Sequence, residues 1–87
     1  MKKAPKHKTL NCESNKFLVS QLKRIRMENG FTMRSLVAPL GKPHSYVGKI
    51  ENNERRIDVI EFIDYCNAIN ADPLEIFKDL LKEKQQK

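Results

Sequence analysis

The chain has 87 residues, with 17 Lys and Arg against 11 Asp and Glu and a net charge of +6. That length supports one small domain around one modest core, and with no Trp and few aromatics the core must be largely aliphatic. No apolar run is long enough to span a membrane and no signal-peptide core follows the basic N-terminus, so a cytoplasmic protein is expected.

In chain order, residues 1–14 read as a flexible basic arm, rich in lysine and poor in apolar residues. Ser14 or Asn15 is placed to cap a first helix running to about Asn29, with Phe17, Leu18, Leu22 and Ile25 on one face. Gly30 supplies the left-handed residue that ends it. Thr32 caps a second helix over about 33–40. There Pro39 forfeits one bond to the Ser35 carbonyl and should tighten or fray the last turn.

A third helix is expected from about Pro43 to Glu51, ending at Asn52 and Asn53, which tolerate the left-handed conformation. Asp58-Val-Ile-Glu61 has the spacing of a capping box for a fourth helix, whose apolar face would be Val59, Ile60, Ile63, Cys66 and Ile69. Asp72-Pro73-Leu74-Glu75 repeats that grammar and opens a fifth, about 73–83. Residues 15–83 are thus one all-α, five-helix domain, and 84–87 a basic tail.

Leu36, Leu40, Val47 and Ile50 sit at helical spacing on either side of Gly41, which permits a sharp turn between helices two and three. That is helix-turn-helix geometry, although periodicity alone favours an ordinary helical hairpin. Charge adds to the first reading. Residues 15–56 carry nine bases against Glu28, Glu51 and Glu54, whereas residues 57–77 hold no Lys or Arg and five acids. A basic face for a polyanion, with the acidic segment turned away, fits that asymmetry.

Taken together, these residues resemble the lambda-repressor and Cro type of helix-turn-helix domain, the xenobiotic-response-element family, over about residues 17–77. The likeness runs through Arg26, Gly30 and Phe31; Thr32, Leu36, Val37, Leu40 and Gly41; Val47, Ile50 and Glu51; the Asn52-Asn53-Glu54-Arg55-Arg56 turn; and Ala68-Ile69. It implies a compact five-helix fold in which helix three reads DNA. It also implies an ion pair between Arg26 and Glu51, joining helix one to the end of helix three. Three positions depart from the family pattern: Met33 replaces a glutamine that contacts the DNA backbone, Gly48 replaces a small polar residue, and Pro39 stiffens the turn.

With Val47 and Ile50 inward, His44, Ser45 and Lys49 face outward with Tyr46 at the edge, and these four are the candidates for reading bases. Thr32, Arg34, Lys42, Asn52, Asn53, Arg55 and Arg56 flank them and are assigned to phosphates. One recognition helix reads too few base pairs to select a genomic site, so a homodimer on a pseudo-palindromic operator is expected. Phe62, Phe77, Leu80 and Leu81 are surplus to one core face and form the expected dimer interface, the alternative being that they cover the monomer core.

No catalytic constellation is apparent, since Ser45 and His44 are sequence neighbours and cannot form a nucleophile–base pair. His7, Cys12, His44 and Cys66 are too dispersed for zinc, so neither metal nor cofactor is expected, and Cys66 reads as a small buried apolar residue. The expected function is a dimeric transcriptional repressor on double-stranded DNA. The alternatives are an antitoxin with a protein partner and autoregulatory DNA binding, or a controller protein of a restriction-modification system.

Overall fold

In the computed structural model, which describes residues 13–85, five α-helices follow one another: α1 Glu13–Glu28, α2 Val37–Leu40, α3 His44–Glu51, α4 Val59–Ala68 and α5 Pro73–Gln85. A 3-10 turn, Arg34–Leu36, leads into α2. Most of the basic arm and the last two residues of the tail lie outside the described residues.

The helix ends follow from local chemistry. Gly30 sits at φ +83, and the Phe31 N–H returns to the Arg26 carbonyl at 2.9 Å, closing α1 with the left-handed cap that a glycine permits. The same motif ends α3 and α4 on asparagine. Asn53 at φ 64 lets the Glu54 N–H reach the Lys49 carbonyl at 2.8 Å, and Asn70 at φ 61 lets the Ala71 N–H reach Cys66 at 2.8 Å. Gly41, at φ +63, makes the bend between α2 and α3.

At the start of α4 the capping box is complete. Asp58 Oδ1 accepts the Glu61 N–H at 2.7 Å, and Glu61 Oε1 accepts the Asp58 N–H at 3.1 Å. Asp72 accepts the Leu74 N–H at 3.0 Å behind Pro73, the first residue of α5.

Helix two is tightened at its end, where the Gly41 N–H reaches the Ala38 carbonyl at 3.2 Å as well as that of Val37. It is tightened also at its start, where Thr32 and Ser35 exchange side-chain and backbone hydrogen bonds at 2.8–3.1 Å and close i to i+3 geometry. Two local expectations are corrected. Pro43 is the residue before α3, extended at ψ 154, rather than its first helical residue. Asn15 does not cap α1; it is buried inside the helix, and its amide donates to Asn53 Oδ1, tying α1 to the turn after α3.

The core draws on every helix except the short α2: Val19 and Leu22 from α1, Tyr46, Val47 and Ile50 from α3, Tyr65 and Cys66 from α4 with Ile69 just beyond it, and Ile76 from α5. Leu36, from the 3-10 turn, completes it. Leu18, Ile25, Met33, Leu40 and Phe62 pack around it, half-buried. Asn29 donates to the Ile69 carbonyl at 2.7 Å and fastens the end of α1 to the end of α4.

The apolar face expected for the fourth helix holds at Cys66 and Ile69, both buried, and fails at Val59, Ile60 and Ile63. Val59 is 71% exposed and Ile60 67%, and Ile63 is exposed as well; the inward face is Phe62, Tyr65, Cys66 and Ile69. Tyr65 displaces them because its ring is fully buried while its hydroxyl finds a carboxylate partner.

Candidate nucleic-acid interface

Helix α3 is held from beneath by Val47 and Ile50, both buried, so its opposite side is presented outward. His44 and Ser45 in its first turn, and Lys49 one turn on, are exposed. None of the three side chains makes a hydrogen bond or ion pair with another described residue. Imidazole, hydroxyl and ammonium groups on one helix face offer both hydrogen-bond donors and acceptors.

Tyr46 departs from the reading made of it. It is buried, and its ring belongs to the core cluster. Arg55 lies 4.9 Å from the ring centroid and Lys42 Nζ lies 5.4 Å from it. Burial, with Glu61 nearby, pushes its phenol above the ordinary range. The side chain is thus packed into the core beneath two cations.

The flanking residues divide. Thr32, Arg34, Lys42 and Asn52 are exposed around α3. Asn53 is half-buried and engaged by Asn15. Arg55 is held by Glu61 through two bonds, Nη1 to Oε1 at 3.0 Å and Nη2 to Oε2 at 3.1 Å. That pairing lowers the Glu61 carboxyl and raises the Arg55 guanidinium. Arg56 is exposed and borders an apolar groove between α1, α4 and α5.

Beneath the end of α3 lies a buried ionic cluster. Arg26 meets Glu51 in a two-pronged bridge, Nε to Oε2 at 2.7 Å and Nη2 to Oε1 at 2.9 Å, with side-chain exposures of 8% and 1%. The Arg26 Nη1 donates to the Phe31 carbonyl at 2.8 Å, and the Tyr65 hydroxyl donates to Glu51 Oε2 at 2.5 Å. The hydrogen bonds Arg26 donates to Glu51 raise its guanidinium against the opposing effect of burial. Burial and the same carboxylate push Tyr65 far above the phenol range. Tyr65 was not legible as a partner, because nothing local links residues 51 and 65. Glu61 carried only its capping signal.

The residues expected at the dimer interface do converge. Phe62, Phe77 and Leu80, with Leu18, Ile57 and Val59, line a groove of about 200 Å³ between α1, α4 and α5. Leu81 lies on an adjoining depression with Phe77 and Leu80. Cys66 is buried, and the loss of hydration pushes its thiol up to about 11. Among the described residues no group of three or more His, Cys, Asp and Glu is placed to hold a metal, and no helix is long and apolar enough to cross a membrane.

The helix-turn-helix family model matches residues 22–76, which takes in every element from the middle of α1 to the start of α5. An XRE-family like protein from Pseudomonas syringae pv. tomato str. DC3000 is similar in structure, with TM-score 0.80 and 41% identity, covering 87% of this chain and 93% of that one. The chain belongs to the XRE, lambda-repressor-like family of helix-turn-helix proteins, a family of DNA-binding transcription regulators.

Two further structures share the fold at lower identity. The restriction-modification controller protein C.Esp1396I matches with TM-score 0.74 and 21% identity, over 86% of this chain and 99% of that one. The controller C.AhdI from Aeromonas hydrophila matches with TM-score 0.65 and 22% identity, over 71% and 94%. No curated protein sequence matches the chain.

Proposed function

We propose that this protein is a sequence-specific transcriptional repressor that binds a pseudo-palindromic operator as a homodimer. One observation carries the reading: the side chains of His44, Ser45 and Lys49 stand exposed and unengaged by other described residues on a helix whose inner side is locked into the core. A helix presented in this way enters a major groove with its N-terminal residues on base edges. His44, Ser45 and Lys49 read bases. Thr32, Arg34, Lys42 and Asn52 hold phosphates on either side and set the register.

The buried Arg26–Glu51 bridge serves this function by holding the end of α3 against α1. It fixes the angle at which the recognition helix meets the groove. Removing either partner strands the other charge in the interior.

A second copy of the chain packs on the α4–α5 face. Phe77 and Leu81 are close to half exposed, and Val59, Ile60, Ile63 and Leu74 are exposed with them. Large apolar side chains gathered at this density on so small a domain mark an association surface. Dimerisation brings two recognition helices onto successive major-groove faces, roughly 34 Å apart. The controller C.Esp1396I was solved as a tetramer on a 35-base-pair operator. At 22% identity that likeness carries the fold alone, and the apolar face supports the assembly.

Selection of bound duplexes from a random DNA library tests the reading. It is expected to enrich a site with two-fold symmetry. Recovery of unselected sequence would overturn it.

A further inference from the structure

We propose that Glu61 is a positioning residue for DNA binding: it sets Arg55 in one orientation so that the open edge of the guanidinium takes a backbone phosphate as a two-pronged fork. The proposal rests on the DNA-binding reading above and assigns to Glu61 a part that its capping role does not require.

A guanidinium has five N–H donors in a fixed plane. In Arg55, Nη1 and Nη2 face the two oxygens of Glu61 at 3.0 and 3.1 Å, and Nη1 also reaches the Arg56 carbonyl at 3.1 Å. The Nε–H and the remaining Nη2–H lie parallel along the other edge and have no partner among the described residues. The Arg55 side chain is 40% exposed, against 15% for Glu61, so the carboxylate sits on the inner side of the pair.

The orientation is fixed at both ends. Tyr46, itself buried in the first turn of α3, lies 4.9 Å from the guanidinium and backs it with its ring. Glu61 is held by the capping box, its Oε1 taking the Asp58 N–H at 3.1 Å. Asp58, Glu61, Arg55 and Tyr46 thus form a continuous chain from the start of α4 to the start of the recognition helix. Lys42, 5.4 Å from the same ring, adds a second cation to that end of α3. An arginine already ordered in this way avoids the loss of side-chain freedom on meeting a phosphate, worth about two- to tenfold in affinity.

A competing role for Glu61 is simple neutralisation of Arg55, and salt titrations separate the two. Binding of the full chain is measured on its selected DNA site and on a random duplex, over a range of salt concentrations. Arg55→Ala is expected to flatten the salt dependence by about one unit on both, as one phosphate contact is lost. Glu61→Gln keeps a residue suited to the capping box. It is expected to weaken binding about two- to tenfold on both duplexes with the salt slope unchanged. Arg55→Lys, which keeps the charge and loses the fork, is expected to behave like Glu61→Gln and stands in for it should that variant fail to fold.

Tighter binding of Glu61→Gln with a steeper slope would overturn the proposal in favour of neutralisation. An unchanged slope in Arg55→Ala would overturn it by making Arg55 a prop for Tyr46 alone. Wild-type protein that binds neither duplex would instead overturn the DNA-binding reading beneath it.

Discussion

The Tyr65 hydroxyl donates to Glu51 at 2.5 Å, so the carboxylate at the end of the recognition helix answers to α4 as well as to α1. A pairwise account of Arg26 and Glu51 is therefore incomplete. Arg26→Met is expected to destabilise the fold by about 3 kcal/mol or more, because Glu51 is left charged and buried. Adding Glu51→Leu recovers only part of the loss, since the Tyr65 hydroxyl and the Phe31 carbonyl then lack their partners. Adding Tyr65→Phe as well recovers more, as it removes a buried donor. Denaturant melts of the single, double and triple variants check the order. A single variant as stable as the wild type would remove the cluster from the account.

Cys66 makes stability sensitive to alkaline pH. Its thiol titrates near 9 in an ordinary setting and near 11 in the folded protein, so the native state binds the proton more tightly. The stabilisation is fully present below about pH 9 and is lost as pH rises towards 11. In a Cys12→Ser background, Cys66 is expected to resist alkylation at pH 8 in the native state and to react on unfolding. Rapid modification of the native protein would show that the site opens far more readily than its burial implies.

Gly48 offers a gain in stability at the interface itself. A methyl group added there would meet only the Met33 sulfur, at 3.9 Å, an ordinary contact. Gly48→Ala is expected to stabilise the fold by about 0.5–1 kcal/mol through helix propensity, raising the melting temperature. DNA affinity measured alongside tells whether the groove needs the bare backbone. A lower melting temperature would mean that α3 has less room than its contacts indicate.

The proposed association surface is tested by Phe77→Glu and Leu81→Glu. Both side chains are close to half exposed, so a charge is tolerated in the monomer but not in an apolar interface. Sedimentation is expected to find dimers for the wild type and monomers for both variants, with far-ultraviolet circular dichroism unchanged. A wild-type chain that stays monomeric at high micromolar concentration would contradict the dimer.

What was legible in the sequence was local. The Asp58–Glu61 box, the glycines at 30 and 41 and the asparagine that ends α3 act within a few residues, and the caps fall where their chemistry put them. The inward side of α3 was legible too, because Val47 and Ile50 leave only one way to turn the helix. Illegible features depend on distant partners. Val59, Ile60 and Ile63 have the spacing of a core stripe, but an apolar stripe built for association has the same spacing. Tyr65 occupies the interior in their place, with Phe62 half-buried against the core. Tyr46 looked like a reading residue because its neighbours in sequence are exposed; only the positions of Arg55 and Lys42 show what its ring supports.

The most direct measurement of the central claim is the affinity of Lys49→Ala for the selected operator and for each single-base variant of it. A loss of about 1–3 kcal/mol on the operator and relaxed preference at one base pair in each half-site are expected, with random DNA bound nearly as before apart from the one lost charge. Equal weakening on operator and random DNA, with every base preference intact, would contradict the assignment of base reading to α3.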